Sequence, residues 1–347
     1  MNNKILLLLA LSASASMMSL GCKKDPEPEA PASTEVTADV YATYNYPTNG
    51  TPVLTIDRSA GRLPDIVKIP VQQSTSYRLC EATKVCLDLT NVRFTQNGKA
   101  YILDEKKSET QEQLSTGFVK DPENFLTYDK ARSLDFVLVL DLSSSLGPDV
   151  AKVKEYAKAF IDQISQKSTG AKVALVVFSG TIVTLPLSNN FTAAKTFIDS
   201  QSNGTSATKL FEAVDRGLTL LASSSAEGKA IMTFTDGFNN SYSDPNKYQT
   251  INYLLSRLNT PINGSSVSSY AIGLNGTTND GAREAELNQL ALNGGITEIA
   301  KDASVLETVF SKFATSVSSV YTLTYKRDDS RQARAINLRF HLVMNPM

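Results

Sequence analysis

The chain has 347 residues, enough for about two domains at roughly 150 residues each, and its 41% hydrophobic content can bury a core in both. Lys and Arg number 34 against 35 Asp and Glu, so the formal charge of -1 excludes a dominant nucleic-acid-binding field or a strongly acidic tail. With 1 His, 3 Cys and no Trp, the chain lacks the ligands for His-rich zinc sites, haem or thiolate clusters.

At the amino end Lys4 precedes the apolar run Ile5 to Leu11, followed by small residues and the string Met18-Ser19-Leu20-Gly21-Cys22. Charged, apolar and small-residue zones in that order read as a secretory signal over residues 1–21, too short for a bilayer span. A Cys placed directly after a small residue resembles the lipobox of bacterial lipoproteins, although the usual Leu three places before the Cys is Ser19 here, with Leu20 one place late. The resemblance implies lipidation of Cys22 and residence in the bacterial cell envelope, at the outer membrane or cell surface. The alternative is an ordinary cleaved signal that leaves Cys22 as a stray thiol. Residues 22–35, including KKDPEPEAPAST, hold Pro and charge with little to bury, which predicts a stiff tether. Lys and acidic residues just after Cys22 resemble surface-export signals of some bacterial groups, so the facing stays open. No later segment approaches the roughly 20 apolar residues that a membrane crossing needs, so lipid is the expected anchor.

Residues 36–125 read as a small all-β domain, with short strand-like runs such as VYATYNY, VLTI, IVKIPV and VCLDL separated by turns. In VRFTQNGKAYIL, Asn97-Gly98 is a hairpin signal. An immunoglobulin-like sandwich fits this texture, with a spacer or structural role. Cys80 and Cys86 flank a short polar turn, so a hairpin could join them in a disulfide suited to an exported protein. Two unpaired buried cysteines are the alternative.

From residue 131 to 325 apolar strands alternate with amphipathic helices, which predicts an α/β fold with a doubly wound, mostly parallel sheet of about six strands. Phe136 to Leu140 is apolar on both faces, as a central strand covered on both sides should be. Pro148 suits a first helical turn, Val150, Val153, Ala157, Phe160, Ile161 and Ile164 follow at helical spacing, and Gly170 ends the element. Val173 to Phe178 is a second strand, and TIVTL before Pro186 an antiparallel edge strand. Helices are expected near 192–200, 210–222, 248–258, 283–292 and 303–317, with strands AIMTFT, VSSYAIGL and ITEIA between them. Residues 320–347 then alternate with period two around KRDDSRQ and read as a terminal β-hairpin, with His341 on its solvated face.

Directly after the buried strand stands Asp141-Leu142-Ser143-Ser144-Ser145, a DxSxS loop at the carboxyl end of the sheet, where doubly wound folds place ligands. Three oxygen-bearing side chains within five residues can surround a small hard cation if a tight turn folds them inward. This motif, with the order of elements around it, resembles the von Willebrand factor type A domain and its metal-ion-dependent adhesion site, over about residues 134–325. The resemblance implies a site for Mg2+, or for Mn2+ or Ca2+ in the same place, built by Asp141, Ser143 and Ser145 together with a Thr from a second loop and an Asp from a third. Asp236, in the Thr-Asp-Gly turn closing AIMTFT, matches that Asp. Thr208, opening the string TKLFEAV, matches the Thr, and Thr205 after Gly204 is its competitor. The following loop FNNSYSDPN offers Phe238 and Tyr242 as ligand contacts or as inward-packed aromatics, and GLNGTTNDG shares the rim. The spacing in NGTTNDG does not suit a calcium loop of the EF-hand kind.

These features lead to an exported, lipid-anchored adhesion or binding protein that takes a protein or matrix-like ligand through a metal-bridged carboxylate. An enzyme is not expected. A serine hydrolase needs a base beside its nucleophile, yet the lone His341 lies in the terminal hairpin, and neither a GxSxG elbow nor a phosphate-binding Gly loop is present. A metal-independent scaffold of an envelope complex is the second reading. No nucleic-acid partner is expected.

Overall fold

The computed structural model describes residues 35–46, 50–69, 76–81, 84–96, 99–121, 125–130, 133–168, 170–275, 284–328 and 335–346. The signal, Cys22, the tether, the Asn97-Gly98 turn and residues 276–283 lie outside the described residues.

Alternation of apolar and polar residues sets the first region. Nine strands follow one another: β1 (Val36–Asn45), β2 (Val53–Ile56), β3 (Val67–Lys68), β4 (Ser76–Glu81), β5 (Lys84–Gln96), β6 (Lys99–Leu103), β7 (Glu109–Leu114), β8 (Gly117–Lys120) and β9 (Phe125–Lys130). Along β1 every second residue turns inward, so that Ala38, Val40, Ala42 and Tyr44 are buried against Leu87, Leu89, Leu338 and Phe340 in one core. Cys80 and Cys86 form a disulfide between β4 and β5, the pairing the polar turn suggested. The β5–β6 pairing runs to Gln96 opposite Lys99, flanking the expected Asn-Gly turn.

The second unit comprises β10 (Leu134–Asp141), α1 (Val150–Lys167), β11 (Lys172–Phe178), β12 (Ile182–Ser188), α2 (Phe191–Ser200), α3 (Leu210–Leu220), β13 (Gly228–Thr235), α4 (Pro245–Tyr248), α5 (Asn252–Leu258), β14 (Ser268–Leu274), α6 (Glu284–Leu290), β15 (Thr297–Ala300) and α7 (Leu306–Ser318). Its six-stranded sheet has the order β12-β11-β10-β13-β14-β15, parallel except for β12 at one edge. The expected α/β class and doubly wound sheet are therefore found. All eight residues of β10 are buried. Phe136, Leu138 and Leu140 face the core under α1, α2 and α7, while Val137 and Val139 face the core under α3, α5 and α6. Pro186 is tolerated because β12 is an edge strand, and the β11–β12 register shifts beside it.

Two local expectations change. Pro148 lies in a 3-10 turn over Ser144–Asp149, ahead of α1, because positive φ at Gly147 (+49°) interrupts the helical path. The helix expected over 248–258 is split into α4 and α5, since the Tyr248 carbonyl accepts a hydrogen bond from Asn239 Nδ2 (2.8 Å).

The carboxyl-terminal strands, β16 (Tyr321–Asp328) and β17 (Ala335–Pro346), both form, but they do not pair with each other as a hairpin. β17 runs antiparallel to β1, from Val36 opposite Met344 to Asn45 opposite Ala335, and on its other side meets β6 and β7. β16 lies between β5 and β9, with Lys130 opposite Tyr321. Each therefore finds partners on both sides, whereas a lone hairpin would leave two open edges in water. The sheet of the first region thus holds eleven strands from both ends of the chain, and the α/β unit is inserted between two neighbouring strands, β9 and β16. His341 stands half-buried on β17, with Nδ1 2.7 Å from Asp39 Oδ1.

A face of β5 joins the two regions. Asn91 Nδ2 donates to Ser266 O at 2.6 Å, Arg93 donates to Ser268 Oγ and to the Ser316 and Val317 carbonyls, and Thr95 Oγ1 donates to Gly294 O at 3.4 Å. Intervening Val92 and Phe94 point the other way, into the β-core. Period two along the strand divides the work.

Candidate functional site

The order of the parallel sheet decides where the site can be. From β10 the chain proceeds to β11 on one side, and β13 lies on the other, so the carboxyl ends of β10 and β13 flank a topological switch point. Asp141 ends β10 and Asp236 directly follows β13. Two carboxylates far apart in sequence are thereby brought to one crevice.

Within it, oxygen atoms from both loops are linked. Asp141 Oδ1 accepts from the Ser143 backbone N–H (2.9 Å), which closes the tight turn after the strand. Ser143 Oγ and Ser145 Oγ lie 2.8 Å apart. Ser145 Oγ donates to Asp236 Oδ1 at 3.0 Å, and Ser143 Oγ lies 3.4 Å from the same oxygen. Asp141 and Ser143 are fully buried and Asp236 nearly so, while Ser144 and Ser145 are exposed. The cluster thus opens to the outside along its serine edge.

Burial, with the Asp236 charge adding to it, pushes the Asp141 carboxyl up to about 7 against the opposing hydrogen bond from Thr235. Burial likewise raises the Asp236 carboxyl. Among the described residues no cationic side chain is bonded to either carboxyl.

Of the two threonines, Thr208 is the buried one, beside the turn that follows Asp236: a Cβ placed on Gly237 would come within 3.3 Å of its hydroxyl, a tight approach that glycine relieves. Its loop is clasped to the turn after β13: Asn240 Oδ1 accepts from Thr208 N–H (2.7 Å), and Thr208 O accepts from the N–H groups of Asn240 and Ser241. Thr205 is exposed, its hydroxyl next to Gly180 and its carbonyl accepting from Ser144 N–H. Phe238 and Tyr242 sit half-buried on the rim.

Three polar residues at this end of the sheet escaped the sequence reading. Asn240 clasps Thr208, as above. Asn239 Oδ1 accepts from Phe211 N–H (3.2 Å) and so holds the start of α3. Thr235 Oγ1, fully buried, donates to Asp141 Oδ2 at 2.6 Å. A hydroxyl at the last position of the covered strand, directly before Asp236, was the available signal for Thr235.

As a donor set the cluster is all oxygen: two carboxylates and two hydroxyls, with the Thr208 hydroxyl beside the adjoining Gly237. Among the described residues no group of three or more His, Cys, Asp or Glu side chains could hold a metal ion. An all-oxygen set is the donor chemistry of hard cations such as Mg2+, Ca2+ and Mn2+, and not of soft metals.

Among solved structures, the chain is similar to an aerotolerance-related membrane protein from Bacteroides fragilis NCTC 9343, at 21% identity and a TM-score of 0.40, over 53% of this chain and 98% of that one. It is also similar to the vWF domain of the type V pili tip protein Mfa5 from Porphyromonas gingivalis, at 14% identity and a TM-score of 0.41, over 55% and 96%. A third likeness, to the pilus adhesin SpaC from Lactobacillus rhamnosus GG, has 12% identity and a TM-score of 0.44 over 88% and 51%. Likenesses this distant carry no functional inference. No curated protein matches the sequence. The von Willebrand factor type A domain family matches residues 135–312, just over half of the chain, and to that family the chain belongs.

Proposed function

We propose that this protein is an exported, lipid-anchored binding protein that captures a protein or matrix-like ligand through a divalent cation held at the carboxyl end of its parallel sheet. Asp141, Ser143, Ser145, Asp236 and Thr208 would hold the ion, with Mg2+ the best match to an all-oxygen set. A bound ion of this kind supplies an electron-poor centre with a position for an outside carboxylate. The observation that carries the reading is the hydrogen-bonded cluster of Asp141, Ser143, Ser145 and Asp236 from two separate loops, buried at its carboxylates and open at Ser145.

The role is binding and not catalysis. The chain's single His, His341, belongs to β17 and is paired with Asp39, and among the described residues no His or Lys is bonded into the cluster. Export and anchoring rest on the sequence from Lys4 to Cys22. No helix among the described residues is long and apolar enough to cross a membrane.

Calorimetric titration of MgCl2 into the purified protein tests the cation directly. Saturable uptake that disappears in Asp141→Ala is expected; a folded wild type that takes up no magnesium removes the reading. A scaffold role independent of metal draws on the exposed Leu114 and Val119 of the β7–β8 pair. A partner captured equally well with and without chelator would favour it.

A further inference from the structure

The two aspartate-bearing loops share one buried hydroxyl. Thr235 Oγ1 donates to Asp141 Oδ2 (2.6 Å) and accepts from Gly237 N–H (3.1 Å), the residue after Asp236. Among the described residues its other acceptor is Gly237 O at 3.3 Å, so its single hydrogen goes to the shorter bond with Asp141. Ser143 N–H on Oδ1 and the Thr235 hydroxyl on Oδ2 give each Asp141 oxygen at least one donor. Rotation of the carboxylate would break both bonds. The donors all point toward Asp141, which suits its anionic form as an acceptor.

We infer that Thr235 is a positioning residue, whose hydroxyl fixes Asp141 relative to the Asp236-Gly237 turn and so sets the spacing on which cation capture depends. It rests on the reading of this cluster as a divalent-cation site. Thr235 itself faces away from the opening: it is fully buried and spends its one hydrogen on Asp141. Groups that orient a ligand in this way commonly change metal affinity by 10- to 100-fold when removed.

The test compares Thr235→Val, which keeps the shape and loses the hydroxyl, with Thr235→Ser, which keeps the hydroxyl, in the full chain. MgCl2 alone is titrated by calorimetry, and thermal melting in EDTA reports folding without the ion. The expected result is a loss of at least about 10-fold in magnesium affinity for Val and a value within a few-fold of wild type for Ser. Thr235→Ala serves in place of Val if the latter does not fold. Equal affinities for wild type and the hydroxyl-free variant overturn the positioning role while leaving the cation site standing. Loss in Val and Ser alike also overturns it, since packing would then be the cause. A wild type that binds no magnesium overturns both.

Discussion

Arg93 Nε lies 2.6 Å from Ser268 Oγ, so a strand of the β-region places a fully buried guanidinium in the base of the α/β unit. The same group donates to the Ser316 and Val317 carbonyls (3.0 and 3.2 Å), which belong to the last turn of α7, and rests 5.5 Å from the Tyr270 ring centroid. Carbonyls at a helix end have no partner within the helix, and a cation there is favoured by the helix dipole as well.

Arg93→Ala should therefore destabilise the protein by roughly 3 kcal/mol, because the Val317 carbonyl and the Ser268 hydroxyl lose the buried donor, while Ser316 O keeps Tyr270 Oη and Ser319 N–H. Urea unfolding followed by circular dichroism measures this. A midpoint equal to wild type would mean that the junction carries no stability.

The cation-free protein should lose stability as pH rises. The Asp141 carboxyl is raised to about 7 in the folded state from an ordinary carboxylate value, so folding favours its protonated form. Its contribution is full below about pH 4 and is lost as pH climbs through about 7. Melting in EDTA across this window should show the decline, and Asp141→Asn should flatten it. With MgCl2 the trend reverses, since proton release strengthens cation binding.

The two threonines should separate cleanly in the same titration. Thr208→Val, at the buried position beside Gly237, is expected to weaken magnesium uptake by at least 10-fold. Thr205→Ala, at the exposed position, should leave it within a few-fold of wild type.

Reduction of Cys80–Cys86, or their joint replacement by Ser, should cost about 2 kcal/mol by the chain-entropy argument for so short a loop. The loss should appear as a lower denaturant midpoint for the β-region with dithiothreitol.

A chain ending before Ala335 loses the strand that lies between β1 on one side and β6 and β7 on the other. Val40, Ala42, Leu103 and their neighbours would be uncovered. Aggregation or loss of cooperative melting is expected, measured by light scattering and calorimetry.

Much of this molecule is legible in one dimension because its signals are local. Helical and strand periods marked nearly every element of the α/β unit, and the both-face apolar run Phe136 to Leu140 identified the covered central strand. The DxSxS loop and the Thr-Asp-Gly turn marked the ends of two strands, since each motif is a few consecutive residues at a predictable break. Cysteine spacing across a polar turn suggested the disulfide for the same reason.

What required the folded chain is pairing at long range. Strand alternation said that β16 and β17 are strands, but not that each would join the β-region instead of the other; open edges in water and a buried core on one face made that choice. Likewise, the sequence leaves Thr205 as a competitor to Thr208, and nothing local marks Arg93 as a polar group with buried partners. Only the packing of separate loops and strands decides which hydroxyl meets a carboxylate and which guanidinium leaves water, because the cost of burying a polar group is met by neighbours distant in sequence.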